Sequence, residues 1–152
     1  MDDRALVGRQ LGRPPRAFRR VAVRCPFGLP AVAEQAPFDC AGEPFPTQFW
    51  LTCPHLAARI ARLEAAGGVE RWTAAAAADP ELRASLAAAH AEQRALRPEL
   101  PGGVGGATRG GSLKCLHAHA AFALARPGYT LGDLVLAEAA PLWPSAGCCT
   151  VP

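Results

Sequence analysis

The segment GGSLKCLHAHAAFALA, residues 110–125, places Lys114, the only lysine of the chain, with Cys115, His117 and His119 inside six positions of an otherwise apolar run. Thiols and imidazoles are metal ligands, nucleophiles and proton carriers, so these types at this spacing admit metal binding, thiol catalysis or acid–base work beside an anion. With Ser112 read as a helix N-cap, Cys115 falls in the first helical turn, where the helix dipole and Lys114 favour the thiolate. At about 100° per residue, Cys115 and His119 share one face as i and i+4, whereas His117 lies about 200° from Cys115 and turns away.

Two further cysteines sit where a site would use them. Cys25 in RCPFG and Cys53 in LTCPH each close an expected strand and each precede a proline, which removes a backbone donor and fixes the chain at the sheet rim. Cys25, Cys53 and Cys115 with His119 make a Cys3His set, a tetrahedral zinc composition. With the histidine held back, three cysteines suit an iron–sulfur cluster that leaves one iron open. No CxxC pair is present, so a catalytic thiol without metal and purely structural, buried cysteines stand beside the metal reading. His55 is a spare ligand, His90 is expected to face solvent from the middle of an alanine-rich helix, and the vicinal Cys148 and Cys149 are either extra ligands or tail.

Lys114, His117 and Arg24 are the candidates for binding an anionic substrate and moving protons. The glycine-rich GGVGGATRGGS feeds a helix start with Arg109 and Lys114 at hand, which suits an anion. It lacks the GK[ST] of a Walker A loop, and a mobile loop is the alternative.

The elements that must position these groups follow from periodicity and breakers. AFRRVAVRCPFGLPAVAEQ reads as two short strands around a turn, and PFPTQFWLTCP as a third strand ending at Cys53. From Pro54 the period becomes helical: Leu56, Ile60 and Leu63 recur until the glycines at 67 and 68. A short helix is expected over 69–78, and a longer one from the Asp79 N-cap and Pro80 to about Arg97. Residues 98–111 read as a flexible Gly/Pro loop, followed by the KCLHAHA helix, a last helix over 130–140 and a tail over 141–152. The expected class is α+β: a small antiparallel N-terminal sheet packed by about five helices, in a single domain over 1–152.

Composition sets the frame. The 152 residues are enough for a core without staples. Asparagine is absent, and isoleucine and tyrosine occur once each, a skew toward alanine, arginine, glycine and proline that makes the retained lysine informative. No apolar stretch approaches the roughly 18–20 residues of a membrane span. The start MDDRALVGRQ carries acids and no signal-like apolar core, so a cytoplasmic protein is expected. Residues 1–16 hold arginines as a basic, partly flexible arm, for which weak nucleic-acid binding and a merely solvated terminus are the two readings.

RCPFGLPAV, PFPTQFWLTCP, RLEAAGGVERW, DPELRASLAAAH and KCLHAHAAFALA, in this order, resemble the bacterial domain-of-unknown-function family 501 from about residue 5 to about residue 140. The resemblance implies no activity and gives none of the cysteines or histidines a role. The leading expectation is a small metal- or cluster-dependent enzyme acting on an anionic substrate. The other is a non-enzymatic interaction, anion- or nucleic-acid-binding protein with structural cysteines.

Overall fold

The computed structural model describes residues 1–147, so the tail readings for Cys148 and Cys149 lie outside the described residues. Residues 3–11, expected within a partly flexible arm, form a helix, α1 (Asp3–Leu11). Its signals are local: Asp2 accepts from the Ala5 N–H at 2.8 Å as N-cap, and Gly12 closes it at φ +72°, a backbone angle glycine adopts without strain.

Three strands follow, β1 (Phe18–Arg24), β2 (Pro30–Gln35) and β3 (Phe49–Leu51), in the antiparallel order β1-β2-β3. The central strand β2 is buried at every position, because helices cover one face of the sheet while α1 packs against β1 and β2. Arg97 and Gln93 fasten the β2–β3 connection. The buried Arg97 donates to the carbonyls of Phe45 and Gln35, and Gln93 donates to Gln48 at 2.8 Å.

The helices that follow are α2 (Pro54–Ala65), α3 (Gly68–Ala78), α4 (Pro80–Leu96), α5 (Leu116–Ala125) and α6 (Thr130–Ala139), with a 3₁₀ turn at Val104–Gly106. Among the described residues the architecture is α+β, a three-stranded antiparallel sheet near the N-terminus with six α-helices. Pro54 and Pro80 occupy first helical turns, where a missing N–H costs nothing, and the Asp79 carboxylate accepts from the Glu81 N–H at 2.9 Å. Helix α5 is apolar all round, which matches its central place: it packs on β3, α2 and α6, and Phe122 meets Phe49 edge to face. No helix of the described residues is long and apolar enough to cross a membrane.

Candidate functional site

The start of α5 differs from the expected one, and the difference rearranges the motif. Ser112 does not cap the helix. Lys114 takes a left-handed backbone at φ +56°, and Cys115, extended at φ −147°, is the N-cap. Cys115 therefore stands outside the helical wheel, so the wheel does not govern its neighbours. It lines the same hollow as His117, while His119 points into the core.

His119 is fully buried. Its Nε2 donates to the Leu113 carbonyl at 2.9 Å and its Nδ1 accepts from the Tyr129 hydroxyl at 2.7 Å. A carbonyl only accepts, so Nε2 carries the hydrogen, and burial disfavours the charged ring, which leaves Nδ1 as the acceptor. Burial, helped by the nearby His90, pulls its pKa down to about 4, and burial raises that of Tyr129. Both ring nitrogens are engaged, which leaves no lone pair for a metal. Among the described residues no group of three or more His, Cys, Asp or Glu side chains is arranged to hold a metal ion. The Cys3His arrangement is thus not formed: Cys25 and Cys53 are buried in the core, Cys115 is at the edge of a hollow, and His119 is occupied.

His90 also departs from expectation. It is buried at the His119 ring edge, 5.9 Å between centroids, and not turned to solvent. Its Nδ1 accepts from the Val104 N–H at 3.0 Å and its Nε2 donates to the Ser112 carbonyl at 3.0 Å, while burial lowers its pKa. The two histidines together fasten both ends of the glycine-rich segment. Val104 and Ala107 are buried within 98–111 and Leu113 just after it, so the loop is pinned at these points, whereas 108–111 are exposed.

The N-terminus of α5 is already satisfied. Glu64, from the last turn of α2, accepts from the Leu116 N–H at 2.7 Å through one oxygen and pairs with His117 Nδ1 at 3.0 Å through the other. The carboxylate thus occupies the position in which an external anion was expected. Lys114 and Arg109 are exposed. Arg24 is held by Asp3 at 2.7 Å and by the Gly28 carbonyl, and is not part of the hollow. The Cys115 thiol is pushed up by burial, with the Ala118 N–H opposing, the Glu64 carboxylate adding to the rise, and the His117 N–H and Lys114 opposing. The thiol is therefore the favoured form, not the thiolate. His117 Nε2 faces the Ala57 carbonyl at 3.2 Å, so neither ring nitrogen is aimed at Cys115 as a base.

What remains open is the hollow, about 160 Å³, between β3 and the start of α5. Thr47, Phe49, Trp50, Leu51, Cys115, His117 and Ala118 line it. Its body is aromatic and aliphatic, and the lining side chains that carry polar groups are Thr47, Trp50 through its indole N–H, Cys115 and the Glu64-paired His117. Sequence reading placed Cys115 and His117 in the motif but missed Thr47, Trp50, Glu64 and Tyr129. Glu64 and Leu116 are 52 positions apart, so no local pattern links them. Tyr129 did carry a signal, as the only tyrosine of a chain whose composition disfavours the residue.

The arginines of the N-terminal region are mostly engaged within the chain. Arg4 donates to the Pro15 and Phe18 carbonyls, Arg16 pairs with Asp39, and Arg19 and Arg20 pair with Glu34. The guanidiniums of Arg9 and Arg13 have no partner among the described residues.

No curated protein and no solved structure matches the chain. The profile of a family described as protein of unknown function (DUF501) matches residues 21–102, just over half the chain. That span holds β1 from Val21 onward, β2, β3, Cys25, Cys53 and Glu64, and ends before Cys115. On that match the chain belongs to the DUF501 family.

Proposed function

We propose that the protein acts by binding, and that the ligand contacts it in the hollow between β3 and the start of α5. The observation that carries this reading is the composition of that hollow: an apolar body from Phe49, Trp50, Leu51 and Ala118, and convergent polar groups from Thr47, Cys115 and His117. Its volume fits one compact apolar group, since an apolar cavity of about 150 Å³ takes one benzene-sized molecule. The raised thiol and the engaged His117 ring argue for recognition over nucleophilic chemistry. The Glu64 carboxylate at the start of α5 works against the anionic substrate that was expected there. The setting proposed is a reducing cytoplasm, where Cys115 stays a thiol.

Titration with benzyl alcohol, followed by amide and indole NMR shifts, tests this. Shifts are expected at Phe49–Leu51 and Cys115–Ala118, and Thr47→Phe, which fills the mouth, should abolish them with the fold intact. Shifts scattered elsewhere, or none at saturating probe, would end the reading.

A further inference from the structure

A second, smaller depression of about 60 Å³ lies at the end of α1, walled by Leu11, Pro14, Pro15 and the rings of Phe45 and Trp50. Gln35, the last residue of β2, also lines it. Trp50 stands opposite Ala33 in the β2–β3 register, and Gln35 lies two positions beyond Ala33. Opposed residues, and residues two apart on a strand, share a face, so the Gln35 and Trp50 side chains both point into this depression. Gln35 is 3 % exposed, yet its carboxamide makes no hydrogen bond with any described residue, and its Oε1 is buried. Native chains seldom leave such a group unanswered, because its desolvation goes uncompensated.

A carboxamide offers an acceptor and a donor side by side. Its full complement is another amide that presents N–H beside C=O and forms two reciprocal hydrogen bonds, whichever way the Gln35 amide is turned. Charge disfavours the ionic alternatives. Arg13 and Arg16 line the depression and oppose a cation. The adjoining depression of about 400 Å³ shares those arginines, Phe45 and Trp50, but adds Asp39 and Glu43, which oppose an anion. Size gives the last constraint: a water needs about 10–15 Å³, so about 60 Å³ holds roughly four heavy atoms, as in acetamide.

We infer that this depression binds the amide group of a neutral ligand. The ligand's N–H donates to Gln35 Oε1, its C=O accepts from Gln35 Nε2, and the rest of the molecule lies against Phe45 and Trp50 in the adjoining depression. This goes beyond the reading of the hollow and does not depend on it.

The isosteric series acetamide, acetate and acetamidinium tests this on the full chain, with the Gln35 side-chain amide and Trp50 indole NMR signals as readouts. Acetamide should shift both and saturate with a Kd on the order of 10 mM, in keeping with four heavy atoms. Acetate and acetamidinium each present one matched and one opposed edge, so both should bind about ten-fold more weakly or worse. Gln35→Met removes the carboxamide at nearly constant volume. It should abolish the acetamide shift at Trp50 and leave the melting temperature unchanged or raised, because no protein partner is lost. Benzamide and N-acetylglutamine methylamide separate the two sources of such an amide, a flat small molecule and a polypeptide side chain; the tighter names the source, and it should bind more tightly than acetamide. The inference is overturned if acetamide leaves Gln35 unshifted up to about ten times the expected Kd, or if either ion binds as tightly as acetamide. It is equally overturned if neither larger amide exceeds acetamide, or if Gln35→Met lowers the melting temperature.

Discussion

The imidazole of His90 lies directly over Gly103: a Cβ built on residue 103 would meet His90 Nδ1 at 2.1 Å. The glycine is required by the ring, and the ring is held by the loop it supports, since the same Nδ1 accepts from Val104. We predict that Gly103→Ala costs about 1–3 kcal/mol through overpacking, lowering the melting temperature by several degrees. Adding His90→Ala should recover part of that loss, so the double variant is less destabilised than the sum of the singles. Strict additivity in denaturant unfolding would show that the ring and the glycine are not in contact.

Stability should depend on pH through His119. In the unfolded chain this imidazole takes a proton near pH 6.5, in the folded protein only near pH 4. Between those values the unfolded state binds more protons, so each fall in pH favours unfolding. The contribution is complete above about pH 6.5 and declines as pH falls toward about 4, by on the order of 3 kcal/mol. His90 is displaced in the same direction and adds to the trend. Urea midpoints from pH 7 to pH 5 should fall less steeply for His119→Gln than for the wild-type protein; equal slopes would count against the assignment.

Much of the architecture was legible from short-range signals. Asp79 with Pro80, the glycines at 67 and 68, and the prolines after Cys25 and Cys53 fixed element ends, because caps and breakers act within one turn. Helix α1 carried comparable signals in Asp2 and Gly12, but the density of arginine suggested a solvated arm. The site was less legible. Its cap is Cys115 and not Ser112 because Lys114 turns left-handed, a backbone choice that spacing does not report. His90 continues the stripe of Leu82 and Leu86 at four-residue spacing on the buried face of α4, a signal masked by the alanines around it.

Glu64 joins α2 to α5 by capping one helix and holding His117. Removing it in Glu64→Ala should cost about 1–3 kcal/mol, because the Leu116 N–H and the imidazole each lose a charge-assisted partner. Glu64→Gln keeps an acceptor for the amide and should lose less. The comparison is read from chemical denaturation, and an unchanged midpoint for the alanine variant would contradict the capping role.

Thiol reactivity offers a separate check. Cys40 is exposed, while Cys115 is partly buried with its thiol pushed up. Under native conditions near neutral pH, iodoacetamide should modify Cys40 before Cys115, by about ten-fold or more, with the sites resolved by peptide mapping. Preferential labelling of Cys115 would point back to an activated nucleophile.

The pinning of residues 103–113 from inside the core also bears on how the molecule opens. The Val104 amide donates to a ring on α4, and the Leu113 carbonyl receives from a ring on α5. Both rings lie in the interior, so the segment has no way to peel outward while the helices stay docked. Its fluctuations belong to the same cooperative unit as the core, and the Val104 amide should exchange only when the whole domain unfolds, a sentinel of global stability set in the most glycine-rich part of the chain.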